Sequence, residues 1–526
     1  MDTDGISVER GRRDRFMKIW KNRKWRYLFI GLLTAICLLA GLFFTDATGW
    51  KSRLEANSVL AKASRDLSQY EISAAFDPAR KTLACKQKVE YRNRSGQELT
   101  RLYFHLYPNA YRSEEKPVFE ERDMMRAYPN GFSPGSLDME TVRINGKEAD
   151  FVIGGTSEDL LMLIPEKGLK PGGTLSIEMH YMVRMPNCFG RFGYGDHTWK
   201  AANWYPIACV HDENGWNLDR YYAIGDPFYS DTANYEVAIK APSDYVLAAT
   251  GECKKKDGRD GNTVWQFHAP AVRDFAWIAS KDFQTASRRV GPATVTSYYY
   301  TEETGERALD YAASAMKFYN QSFGKYPYRH FSVVEADFFI GGMEYPNLIM
   351  MDHSLYAPGE TDSLELVTAH ETAHQWWYGL VGNNEVRDAW MDEGLTEYST
   401  VLYYGNRYGA NQEKKVYHST MGEGKYSYLP YYIKSAKVDE TIHRPSYEFS
   451  DGTLYDLLVY GKGAMMFHDI QRKMGRATFL QTLQEYCRKY QFRNVDKEDM
   501  IHTFRQVTGR DWERNFNKWL YDEEHE

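Results

Sequence analysis

The chain has 526 residues, 43% of them hydrophobic and 26% charged, with 40 tyrosines and a net charge of −7. That length and apolar content call for two or three folded domains and exclude a disordered polymer. The charge is unevenly spread: residues 1–26 hold nine Lys/Arg against four acids, leaving the remainder near −12, which argues against nucleic acid as a partner of the globular part.

Residues 27–44 are uncharged and apolar. Eighteen residues at 1.5 Å rise span about 27 Å, enough for a bilayer core. The flank before this run is basic and the flank after it is not. The positive-inside rule then predicts a single-pass cell-membrane protein with residues 1–26 as a cytoplasmic tail, and the chain beyond about residue 45 outside. A cleaved signal peptide is the rival, but Thr45-Asp46-Ala47 matches an A-x-A site poorly. Residues 45–69 read as a juxtamembrane stalk. The cysteines are scattered and show no C-x-x-C spacing, so neither a cysteine zinc site nor a disulfide scaffold is expected.

Residues 70–291 have a β texture. Alternating runs occur at Tyr70–Phe76, Ala84–Tyr91, Leu102–Tyr107, Leu160–Ile164, Leu175–Tyr181, Tyr235–Ile239 and Val264–His268. Asn145-Gly146 between Glu140–Ile144 and Glu148–Ile153 is a hairpin signal. The spacing predicts an antiparallel β domain, with Cys188–Tyr229 as long loops. From residue 292 to 526, after one persisting β segment, helical periodicity takes over: Arg307–Phe323, Glu413–Met421, Gly463–Met474, Arg476–Tyr490, Lys497–Thr508 and Trp512–Tyr521. The fold class is α+β.

Within that half, His370-Glu371-Thr372-Ala373-His374 has the pattern H-E-x-x-H. Residues four apart lie on one helix face, so two imidazoles can meet one metal ion. Leu364, Val367, Ala369, Ala373 and Trp376–Trp377 make the segment apolar and helical. Glu393, nineteen residues after His374, is the natural third ligand on a second helix. Two imidazoles and a carboxylate suit one Zn2+ ion with a position left open for water. Glu397, one turn further, and Asp388 are candidates to orient a ligand histidine.

This pattern, within HQWWYGLVG and WMDEGLTEY, resembles the aminopeptidase N / leukotriene hydrolase family of zinc metallopeptidases. Gly341-Gly342-Met343-Glu344 resembles its G-x-M-E-N motif, whose glutamate binds the substrate's α-amine. Tyr460-Gly461-Lys462-Gly463-Ala464 resembles its Y-x-K-G-A segment, whose tyrosine stabilises the transition state. The resemblance covers residues from about 70 to the C-terminus and implies a β domain followed by a thermolysin-like, mainly helical catalytic domain. Tyr345-Pro346 departs from the family's Asn. The C-terminal helical domain of many members is not expected here, which makes this a membrane-anchored short form.

The resemblance implies an aminopeptidase that removes the N-terminal residue of peptides with a zinc-activated water. His370, His374 and Glu393 would hold the metal, with Glu371 as general base and Tyr460 at the oxyanion. Glu344, with Gly341, Gly342 and Met343, would meet the substrate. A zinc endopeptidase or epoxide-type hydrolase of the same fold, or a membrane-tethered non-catalytic relative, are the alternatives.

Overall fold

The structure, a computed structural model, describes residues 56–258, 260–432 and 438–521, without the side chains of 255–257. The basic tail, the apolar run 27–44 and residues 45–55 of the expected stalk lie outside the described residues. Residues 56–63 are helical. Among the described residues no helix is long and apolar enough to cross a membrane.

The N-terminal half is β-rich. Its largest sheet has eight strands, in the spatial order Glu252–Asp257, Asn262–Val272, Ala233–Pro242, Gln69–Asp77, Thr82–Arg92, Thr174–Arg184, Ser136–Ile144 and Lys147–Glu148. Alternation decides which side chains are inside: Tyr70, Ile72, Ala74 and Phe76 are buried while Glu71, Ser73 and Ala75 face out. The sheet is not wholly antiparallel, as the spacing predicted. Gln69–Asp77 runs parallel to Ala233–Pro242. Strands joined by a long excursion are free of the hairpin constraint that makes neighbours antiparallel.

Two further expectations change. The Asn145-Gly146 hairpin forms, with Ile144 opposite Lys147. However, the run expected at Glu148–Ile153 divides between sheets, because Phe151–Gly154 pairs with Leu160–Leu163. Alternation marks a buried face and does not say which sheet supplies it. Residues 188–229, expected as loops, contain short strands at Phe192–Tyr194, Trp199–Ala201, Ile207–Ala208, His211–Asp212 and Gly215–Trp216. Two- and three-residue strands are too short to display a period of two.

The C-terminal half sets helices against a five-stranded sheet, in the order Gln284–Val290, Ala293–Tyr299, His330–Ala336, Leu348–Asp352 and Gly342–Met343. The hairpin from Val290 to Ala293 spans the residue 291/292 position at which the sequence texture changes. The helix Glu302–Ser322 crosses this sheet and packs on the helix Thr361–Ala373, and the Tyr319 hydroxyl donates to the Ala369 carbonyl at 3.0 Å. The helices expected after residue 400 are present at Ala410–Ser419, Gly463–Met474, Arg476–Tyr490, Lys497–Thr508 and Glu513–Leu520, and the helix expected after Glu393 is Leu395–Tyr408.

One buried arginine ties the halves together. Arg273, 2% exposed, leaves the strand Asn262–Val272 and donates to the carbonyls of Tyr378 at 2.6 Å, Ser230 at 3.2 Å and Arg493 at 2.5 Å, and to Asn494 Oδ1. Four acceptors satisfy a guanidinium whose burial would otherwise be costly.

Candidate metal centre and substrate cleft

The helix Thr361–Ala373 buries Leu364, Ala369 and Ala373 and carries the histidines at its C-terminal end. Two tryptophans anchor the turn that follows: Trp376 Nε1 donates to the Gly324 carbonyl at 2.9 Å and Trp377 Nε1 to Ser399 Oγ at 3.0 Å. His370 Nε2 and His374 Nε2 lie 3.1 Å apart. Glu393 Oε2 stands 3.3 Å from the first and 3.1 Å from the second. A tetrahedral ion with bonds of about 2.0–2.1 Å needs donor atoms roughly 3.3 Å apart, so the three converge at the spacing zinc requires.

The outer nitrogens set the tautomers. His374 Nδ1 donates to the Trp377 carbonyl at 2.9 Å, which leaves the Nε2 lone pair facing Glu393. His370 Nδ1 meets Glu397 Oε2 at 3.4 Å, and Lys425 Nζ lies 3.4 Å from Glu397 Oε1. Glu397 therefore has the orienting position expected of it. Asp388 does not: its carboxylate meets His443 Nδ1 at 2.8 Å, because the helical turn Glu385–Asp388 directs it away from the histidines. Burial opposes ionisation of Glu393, yet the two histidines hold its carboxyl well below the ordinary range.

Glu393 is not on a regular α-helix. It sits in a π-helical turn, Trp390–Gly394, that leads into Leu395–Tyr408. Tyr460 occupies a second π-helical segment, Asp456–Lys462. Such turns recur at functional sites because one extra residue re-aims a side chain. The two segments meet through glycines, and a Cβ on Gly394 would lie 3.0 Å from Gly463 Cα. The result is a Tyr460 hydroxyl that donates to Glu393 Oε1 at 2.5 Å, with its ring stacked on His370.

Glu371 and Glu344 face the same space. Glu371 is buried, its Oε2 has no hydrogen-bond partner among the described residues, and burial pushes its carboxyl up to about 7. Gly342 touches it directly: a Cβ there would lie 2.2 Å from Glu371 Oε1. Glu344 is 4% exposed, and its Oε1 has no hydrogen-bond partner among the described residues. Gln375 fixes the segment behind it, donating to the Tyr345 carbonyl at 3.1 Å and accepting from the Asn347 amide at 2.8 Å. Gly341 has φ +101 and open space around it, whereas Met343 is buried and accepts from Arg191 Nε at 3.0 Å.

Sequence reasoning missed Asp226, Arg191, Glu385 and Asp392. Asp226, Glu344 and Glu393 present oxygens within 4.8 Å of one another, as do the donor atoms of Glu344, His374 and Asp392. Arg191 is ion-paired with Asp226 in the interior. Asn383 Nδ2 donates to Asp392 Oδ1 at 2.8 Å. A wide cavity of about 1040 Å³, lined by Arg94, Asp212, Asn384 and Arg493 among others, includes Asp388 but none of the three proposed metal ligands, nor Glu371, Glu344 or Tyr460.

Two histidines from one helix and a glutamate from the turn that opens the next form a donor set of the kind that holds a single zinc ion. Residues 307–519 match the Peptidase family M1 domain. Its fold is similar to the M1 zinc metallopeptidase of Deinococcus radiodurans, with a TM-score of 0.61 at 16% identity, covering 87% of this chain and 94% of that one. In sequence it is 26% identical over 411 residues to aminopeptidase N of Lactococcus lactis, covering 73% of this chain and 46% of the relative. It is 22% identical over 365 residues to endoplasmic reticulum aminopeptidase 2 of Bos taurus, covering 66% and 37%. The chain thus spans less than half the length of these two curated relatives.

Proposed function

We propose that the chain is a zinc-dependent aminopeptidase that releases the N-terminal residue of peptides. The observation that carries this reading is the buried, half-unpartnered Glu344 carboxylate beside the His370–His374–Glu393 triad. A protonated α-amine can pair with it, and an internal peptide bond cannot. The sequence relatives are named aminopeptidases, and a structural neighbour was solved with a Tyr-Ser-Ala substrate.

His370, His374 and Glu393 would hold the ion. Bound there, zinc supplies a Lewis acid that polarises the scissile carbonyl and acidifies water. Glu371, whose burial favours the protonated form more than usual, accepts the proton of the attacking water and returns it to the leaving amine. The Tyr460 hydroxyl donates to the oxygen on which charge develops, and Glu393 Oε1 holds that hydroxyl in the cleft beforehand. Glu344 fixes the α-ammonium, which sets the cut one residue from the N-terminus.

The test compares aminoacyl substrates with free and acetylated N-termini, alongside the zinc-to-protein ratio. The expected outcome is one zinc per chain and turnover of the free amines alone. Equal cleavage of both would overturn the reading in favour of an endopeptidase.

Residues 27–44 would anchor the enzyme in the cell membrane, with residues 1–26 cytoplasmic and the active site outside. The uncharged apolar run and the basic flank before it support this. Protease added to intact cells should digest the folded part, and full protection until lysis would overturn the orientation.

A further inference from the structure

Tyr460 bonds Glu393 and Glu397 meets His370, and one side chain reaches both of them. Lys425 Nζ lies 3.4 Å from Glu397 Oε1, donates to Asp456 Oδ1 at 2.8 Å, and stands 4.7 Å from the centre of the Tyr460 ring. An ammonium has three N–H donors and no acceptor, and a ring face within about 6 Å attracts it. Two carboxylates and one ring therefore surround this ammonium, and they come from different elements. Glu397 belongs to the helix Leu395–Tyr408, while Asp456 opens the π-helical segment Asp456–Lys462 that carries Tyr460. The lysine is held in turn. It sits on the helical turn Glu423–Tyr426, which the chain enters through Gly422 at φ +51. A Cβ on Gly461, next to Tyr460, would lie 3.0 Å from the Tyr426 amide nitrogen, so the turn rests directly on the segment of Tyr460. Tyr426 donates to Glu440 Oε2 at 2.6 Å and Lys462 to the Glu440 carbonyl at 2.7 Å, which ties both sides of that contact to one further residue.

Such a placement does more than neutralise a charge. Asp456 is 47% exposed, and an ion pair at the surface contributes little to stability. What distinguishes Lys425 is geometry. The Tyr460 ring has His370 stacked on it at 5.8 Å and the ammonium over it at 4.7 Å. Two neighbours thus fix the tilt of the ring, and the tilt sets the line of the hydroxyl. A donor to an oxyanion works along that line, because a hydrogen bond weakens steeply once it is bent. The same ammonium faces Glu397, whose other oxygen meets His370 Nδ1 at 3.4 Å. The lysine side chain is 22% exposed, so water competes only weakly for these contacts.

We propose that Lys425 is a positioning residue of the active site. Its ammonium holds the Tyr460 ring and the Glu397 carboxylate in one fixed relation, so the donor to the oxyanion and the orientation of His370 are set by the same cation. Lys425 acts on the reaction through Tyr460 and, to a smaller extent, on the metal through Glu397. This rests on the aminopeptidase reading and adds to it the residue that aligns its oxyanion donor.

The experiment uses the zinc-loaded full chain with Lys425→Met, which keeps the stem and removes the charge, and Lys425→Arg, which keeps the charge. Lys425→Met should lower kcat on an aminoacyl amide by about 10–100-fold and change KM by less than about threefold, since a misplacement near 1 Å costs about 10²-fold in rate. Lys425→Arg should recover most of that loss. Titration with a competing chelator should show weaker zinc in Lys425→Met, though by less than in Glu397→Gln. A double-mutant cycle separates alignment from general damage: in Tyr460→Phe, which has no hydroxyl to align, Lys425→Met should cost less than about threefold in kcat. A kcat of Lys425→Met within about threefold of the parent overturns the proposal. Unchanged zinc affinity does so too, as does a kcat loss that is as large in Tyr460→Phe as in the parent. Tm should stay within about 2–4 °C of the parent, and a variant that fails to fold would make the lysine a structural residue and equally overturn the proposal. Failure of the aminopeptidase reading looks different: free and acetylated substrates would be cut alike, or Tyr460→Phe would keep the full kcat, whatever stands at position 425.

Discussion

Gly342→Ala should disable the enzyme through a single methyl group. Gly342 lies in the short strand Gly342–Met343 beside Leu348–Asp352, at a φ that alanine also adopts, so the backbone has no reason to change. The added Cβ would stand 2.2 Å from Glu371 Oε1, 2.4 Å from Cδ and 2.5 Å from Cγ. Restoring ordinary contact at 3.4 Å moves the oxygen by about 1.2 Å. Glu371 is the flexible partner and gives way, which takes the proposed base off its line to the attacking water. A misplacement near 1 Å costs about 10²-fold in rate. The assay is kcat/KM on an aminoacyl amide, with zinc content and Tm measured on the same preparation. Zinc should remain at one per chain and Tm should shift by no more than about 2–4 °C, the scale of a 1 kcal/mol change in a domain of 150–250 residues. Glu371→Gln, which keeps the ligands and removes the base, sets the floor at about 10²–10⁴-fold. Activity of Gly342→Ala within about threefold of the parent, with its zinc intact, would refute the assignment of Glu371 as the base.

Tyr460→Phe should lower kcat by about 10²–10³-fold with little change in KM, because the hydroxyl is needed where charge develops and not for binding; stopped-flow or steady-state kinetics separate the two. Glu397→Gln should weaken zinc by about 10–100-fold, since Glu397 orients His370 through Nδ1, and titration with a competing chelator reads it. Lys200→Met should stabilise the fold. Lys200 is fully buried, its Nζ has no hydrogen-bond partner among the described residues, and burial lowers its pKa from 10.5 to about 8. Charging it therefore costs the native state about 3 kcal/mol at pH 7. The unfolded chain binds more protons than the native one between pH 8 and 10.5, so the parent gains stability as pH rises through that window. The advantage of the variant should be full below pH 8 and vanish above pH 10.5, as denaturation curves across pH would show.

The histidine helix was legible because its two histidines fall one turn apart in an apolar segment, and Thr368 to Ala373 are buried all round. Glu393 was legible from its spacing after His374, and Glu397 as the residue one turn beyond it. What the helix of Glu393 does at its start was not, since no residue preference marks a π-helical turn and the extra residue shows only in the hydrogen bonds. The Asn145-Gly146 turn announced its hairpin, while the parallel pairing of Gln69–Asp77 with Ala233–Pro242 depends on contacts far apart in sequence. Arg191, Asp226 and Glu385 had no signal at all. Arg191 and Asp226 sit in irregular segments and Glu385 opens a single helical turn, too short to show a period, and Arg191 and Asp226 matter because they pair in the interior. An acid in such a segment looks like a solvated charge until packing removes the water.

Arg273 bears on the order in which the molecule comes into being. The chain is made from its N-terminus, and two of the acceptors of this guanidinium, on Arg493 and Asn494, emerge 220 and 221 residues after it. The Tyr378 carbonyl, which follows the histidine helix, appears about halfway through that interval. Until the last acceptors leave the ribosome the arginine is better off in water, so the β-rich half can assemble on the nascent chain while the seam between the halves stays open. Closure is a late event of synthesis, and any fragment that stops short of Arg493 carries a cation it has no means of burying.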